Sequence, residues 1–96
     1  MPPRWIKTAD RPGSFPPVHP DDDLLLVSGA FVLGRVLPAM AGRSIPTRWG
    51  WLLTGPYSPG EAGAPTHGYV ASLEEAKAAL LASWRRWQQW AGVRDA

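Results

Sequence analysis

The stretch SLEEAKAALLASWRRWQQWA, residues 72–91, decides the fold. Ser72 is a favourable N-cap, and Glu75 three positions later completes a capping box worth about 1 kcal/mol, its carboxylate reaching back to the Ser72 amide. Leu73, Ala76, Leu80, Trp84, Trp87 and Ala91 recur at steps of three and four, so they share one arc of a helical wheel with Trp90 at its edge. Glu74, Ala78, Ala82, Arg85 and Gln89 occupy the other faces, and Gly92 stands where a C-cap glycine ends a helix. An apolar arc this well marked needs a partner surface.

That surface has to come from the residues upstream. Leu24–Ser28 and Phe31–Leu37 are rich in Leu, Val and Phe and flank Ser28-Gly29, which predicts a hairpin with glycine supplying a positive φ at the turn. Alternation places Phe31, Leu33, Arg35 and Leu37 on one face and Val32, Gly34 and Val36 on the other. Pro38 and Pro46 then bracket an expected loop, PAMAGRSIP. Arg48–Thr54, RWGWLLT, reads as a third strand with Trp49, Trp51 and Leu53 on one side, as core against the helix or, alternatively, as an exposed aromatic platform, and Thr66–Ala71 as a short last strand with Tyr69 opposite Val70. The expected class is α+β: a three- to four-stranded antiparallel meander packed on one C-terminal helix. One helix covers one sheet face, so the second face is expected to stay wet or to meet a partner.

Length and composition bound the rest. Ninety-six residues make one small domain, read here as residues 23–92 with a tail at 93–96. Such a core supplies roughly 3–5 kcal/mol net unless something else staples it. With no cysteine in the chain, neither disulfides nor thiolate metal sites are available as that staple. Six tryptophans, each able to bury roughly 150–250 Å2, are expected to dominate the core. Six of the eleven prolines lie in the first twenty residues, so residues 1–22 read as a proline-rich, disordered arm, with Trp5 and Ile6 as the side chains able to latch it down. The segment 55–68, GPYSPGEAGAPTHG, reads as a loop and lacks the Gly-Lys-Ser/Thr of a phosphate cradle.

The formal charge is only +2, with the excess concentrated at Arg35, Arg43 and Arg48, too small a bias to announce nucleic acid. The run Leu24–Leu33 is about half the length of a membrane span and follows acids rather than a basic leader, so a soluble, cytoplasmic protein is expected.

No catalytic constellation emerges. His19 and His67 lie in separate irregular segments without a nucleophile motif, and Asp21–Asp23 are consecutive rather than alternating, which reads as a solvated lead into the first strand. No enzyme activity, cofactor or metal is expected. The stretch SWRRWQQW invites a phosphate-and-base reading, but Trp84 and Trp87 belong to the core arc, leaving Arg86 and Trp90, four residues apart, as exposed contact candidates. With Tyr57 and His67 of the loop and Arg35 and Arg48 of the strands, they form the candidate interaction surface.

From Leu24 to Ala91 the chain resembles a class of short uncharacterised bacterial proteins, often proteobacterial, in which a hairpin, a strand such as RWGWLLT and a glycine-containing loop lead into a helix like SLEEAKAALLASW. The resemblance implies a fold and no activity. HGYVASLEEAKAAL is also similar to the strand-to-helix passage of HicB-type antitoxin domains, which implies a protein partner. The Asp-x-Pro-Gly segment and appended DNA-binding helices of that family are absent from this sequence. The expected role is a noncatalytic interaction module binding another protein or its own copy, with nucleic-acid binding through the arginines as the alternative.

Overall fold

In a computed structural model, which describes residues 2–11, 22–40, 46–54 and 65–93, the chain is α+β: a five-stranded antiparallel sheet in the order β1-β2-β3-β4-β5 packed against one helix. The strands are β1 (Arg4–Lys7), β2 (Leu24–Ser28), β3 (Phe31–Met40), β4 (Pro46–Leu53) and β5 (His67–Val70), and the helix α1 spans Leu73–Ala91. The expected meander therefore gains a strand, and that strand comes from the segment read as a disordered arm.

β1 pairs with β2 from Arg4 opposite Val27 to Lys7 opposite Leu24, and it is followed by a 3-10 turn at Thr8–Asp10. The expectation of disorder fails here because Trp5 has a partner. Its ring packs at the rim of the helix-side core, with the Lys77 ammonium 5.3 Å from its centroid. Residues 12–21 of the expected arm, residues 55–64 of the expected loop and residues 94–96 of the tail lie outside the described residues.

The β2–β3 hairpin turns at Gly29-Ala30, with Ser28 opposite Phe31 and Gly29 at φ 59°. A register shift follows: Val27 opposes Val32 but Leu26 opposes Gly34, so β3 carries one extra residue there. The bulge breaks the expected alternation, and Leu33 belongs to the core under the helix rather than to the face of Arg35 and Leu37. The predicted loop between Pro38 and Pro46 is also shorter than expected, because both prolines lie within strands. The Thr54 amide donates to the Leu33 carbonyl, so alternation turns Leu33, Arg35 and Leu37 toward β4 and Pro38 toward the other edge. β2 has already ended there, with Leu24 opposite Val36, and the missing proline amide costs no ladder bond.

The core is formed by Leu26, Leu33, Val36, Trp51 and Leu53 of the sheet against Ala76, Leu80, Trp84 and Trp87 of the helix. Trp84 and Trp87 stack with centroids 5.1 Å apart at 12°. At Gly34 the two layers approach closely: a Cβ added there would lie 2.6 Å from a Leu80 methyl and 2.4 Å from the Leu52 carbonyl oxygen. The helix begins as expected at Ser72, whose hydroxyl accepts the Glu75 amide at 3.2 Å, but the Glu75 carboxylate accepts from the Ala71 amide, one residue before the expected Ser72. At the other end Gly92 is left-handed and the Val93 amide donates to the Gln88 carbonyl, a bond of the Schellman type. Ser83 and Gln88 are buried on the packed side, whereas Ala91, placed on the arc by periodicity, is exposed at the last turn.

Candidate interaction surface

The face of the sheet turned away from α1 divides into two halves. Over β1–β3 it is closed. Leu25 and Val27 are buried, and Asp23, at 0% exposure, accepts from the Thr8 hydroxyl at 2.7 Å and from the Arg35 Nε at 2.7 Å, with a second bond from Arg35 Nη2. The Thr8 amide also donates to the Asp23 carbonyl at 2.9 Å. Asp23 is therefore not the solvated residue expected from its place in a run of acids: it holds the 3-10 turn, the start of β2 and the middle of β3 together. Its partners fork around it because a guanidinium offers two parallel donors to a carboxylate. Arg35 is consumed by this contact, with 13% of its side chain exposed, which removes it from the expected contact surface.

Over β3–β5 the same face is open. Trp49, Trp51 and Leu53 turn to the helix, so strand alternation sends Arg48, Gly50 and Leu52 outward, and the β4–β5 register places Tyr69 beside Gly50 and His67 beside Leu52. Gly50 leaves room for the ring: a Cβ there would sit 3.5 Å from Tyr69 Cε1. The Arg48 guanidinium lies 5.9 Å from the Tyr69 centroid, a loose cation–π pair on the surface. Tyr69 is 65% exposed. Leu37, Gly50, Leu52, His67 and Tyr69 line a shallow groove of about 240 Å3. An aromatic and two leucines left at a surface of a small domain are an apolar patch with a few polar groups at its rim, the composition of a contact surface.

The six residues singled out in the sequence thus do not converge. Arg48 and His67 stand on the open half, His67 in β5, where the expected loop and the expected last strand overlap, and with its Nδ1 3.2 Å from the Thr66 hydroxyl. Arg35 belongs to the closed half. Arg86 and Trp90, the latter 54% exposed, lie on α1 in the opposite layer. Tyr57 lies outside the described residues, as does Arg43. Sequence reasoning missed Tyr69, Leu37 and Leu52 as a group. The parity of the last strand, with Tyr69 opposite Val70, was the signal for the tyrosine, but joining it to Leu37 and Leu52 required the register of three strands.

Among the described residues no group of three His, Asp or Glu side chains is placed to hold a metal ion, and no helix is long and apolar enough to cross a membrane. No protein-family model, curated protein or solved structure matches this chain.

Proposed function

We propose that the chain is a noncatalytic protein-interaction module that makes its contact through the open half of the outer sheet face, with another protein or its own copy as partner. The observation that carries this reading is Tyr69, 65% exposed over Gly50 beside the groove lined by Leu37 and Leu52. A tyrosine side chain has two rotatable bonds and so offers a large contact area at little conformational cost on binding, the property expected of an anchor residue. Amide NMR spectra at low and high protein concentration test it, with the expectation of shifts confined to residues 37, 50, 52 and 67–69. Leu52→Lys, an outward substitution, is expected to abolish those shifts while the helix-side tryptophan indoles keep their positions. Association unchanged by Leu52→Lys sinks the reading.

Nucleic-acid binding is the second reading, favoured by the Arg48–Tyr69 pair, which sets a cation and a stacking ring on one open surface. Its weakness is that Arg35 is tied to Asp23 and Arg86 belongs to the other layer. Added oligonucleotide would then shift Arg48 and Tyr69 with a steep loss in salt, whereas an apolar protein contact tolerates salt.

A further inference from the structure

We infer that β5 is a self-complementary open edge through which two copies of the chain join their sheets, antiparallel, about an axis at Gly68. The inference rests on the interaction-module reading and names its partner.

The argument begins with the direction of the backbone groups. The Leu53 amide donates to the Thr66 carbonyl at 2.7 Å, which fixes the alternation along β5: residues 66, 68 and 70 point their amides and carbonyls at β4, and residues 67, 69 and 71 point theirs away. Of the outward amides, that of Ala71 is taken by the Glu75 carboxylate at 3.0 Å. The outward amides and carbonyls of His67 and Tyr69 have no partner among the described residues. The sheet's other edge is differently built. β1 carries Arg4 and Lys7, charges that discourage pairing, whereas β5 is His-Gly-Tyr-Val, with no permanent charge.

Only some registers satisfy this edge. Two antiparallel copies keep the same faces aligned when opposed residues have the same parity, and they form paired hydrogen bonds only between outward residues. Placing His67 opposite Tyr69 of the partner subunit meets both conditions and uses the free groups on both sides, for about four hydrogen bonds. Moving the axis to Tyr69 would set His67 against the partner's Ala71, whose amide Glu75 already occupies. In the Gly68 register each Tyr69 ring stands beside the partner's His67, so the two grooves run into one another across the joint and both helices lie on the same side.

The experiment uses the whole chain, which has no cysteine of its own. Light scattering across a concentration series is expected to show twice the chain mass at the upper end. Tyr69→Pro removes an amide that serves no bond to β4, and the double substitution His67→Lys with Tyr69→Lys sets like charges opposite one another. Both are expected to leave the chain monomeric with its circular dichroism intact. Register is read by mixing His67→Cys chains with Tyr69→Cys chains and bridging them by oxidation to a disulfide. Opposed Cα atoms in such a pair are about 5.5 Å apart, within bridging range, whereas two copies of residue 67 would be about 8–9 Å apart. Mixed dimers and few like-with-like dimers are expected. Chain mass at every concentration, a dimer that survives both edge variants, or like-with-like linkage overturns the inference. If the edge test fails while residues 37 and 52 still shift with concentration, the module reading stands without it; if Leu52→Lys changes nothing while the edge variants dissociate a dimer, that reading fails and edge pairing survives.

Discussion

At the scale of single residues, the molecule's tolerance is set by two positions that look ordinary in the sequence. Gly34→Ala is expected to cost roughly 1–3 kcal/mol, because the new methyl meets the Leu52 carbonyl oxygen, a backbone atom that moves only if β3 and β4 part. Thermal unfolding reads this as a lowered midpoint, and an unchanged midpoint would mean that helix and sheet are less closely packed than described. Asp23→Ala leaves Arg35 with its fork unfilled in a mostly enclosed site, a loss of about 3–5 kcal/mol by the usual behaviour of broken buried pairs. Denaturant titration should place it well below an exposed control such as Asp10→Ala. Neither residue announces itself in the sequence. Gly34 is one of ten glycines, and Asp23 closes a run of three acids whose composition suggests water, because the partners that bury it come from Thr8 and Arg35, separated from it by 15 and 12 positions.

At the scale of elements, legibility follows periodicity. The helix was readable from its cap to its final glycine, since a 19-residue element repeats its apolar positions often enough to define a face. Trp84→Ala and Trp87→Ala should each cost roughly 3–5 kcal/mol and Arg86→Ala close to nothing, a contrast that urea unfolding resolves directly. The hairpin was readable for the same reason, whereas its bulge was not: nothing local distinguishes Leu33 as the extra residue, and the consequence is a change of face. β1 was hidden because four residues among prolines carry no repeat, and its evidence is entirely tertiary. Trp5→Ala should therefore lower stability by about 1–3 kcal/mol despite its place in the proline-rich segment. No change in the unfolding midpoint would return that segment to the status of an arm.

At the scale of the whole molecule, two cross-strand pairs explain why the site was harder to read than the fold. Trp51 lies over Gly68 on the helix side, where an added Cβ would be 2.9 Å from its Nε1, and Tyr69 lies beside Gly50 on the outer side. Each aromatic covers a glycine of the neighbouring strand, so which ring is inside and which is outside depends on register, a property of the assembled sheet. The aromatic strand is legible in the sequence, whereas the outer face is uncovered over β3–β5 alone and the candidate contact residues are spread over both layers. Association through that face should be nearly indifferent to salt, because its centre is Leu37, Leu52 and the Tyr69 ring, and a steep salt dependence in sedimentation or light scattering would move the balance to the arginines.

The order of the meander has a consequence for the chain while it is being made. Every strand pairs with its predecessor, so the sheet is assembled from contacts between successive segments. The helix is synthesised after all five strands, and at about 5–20 residues per second its 19 residues take on the order of 1–4 s to add. Until that helix is made, Leu26, Val36, Trp51 and Leu53 lack the residues that cover them in the finished core. Burial of the sheet's helix-side face thus waits on the last element to be made, and the arrival of Trp84 and Trp87 completes the core.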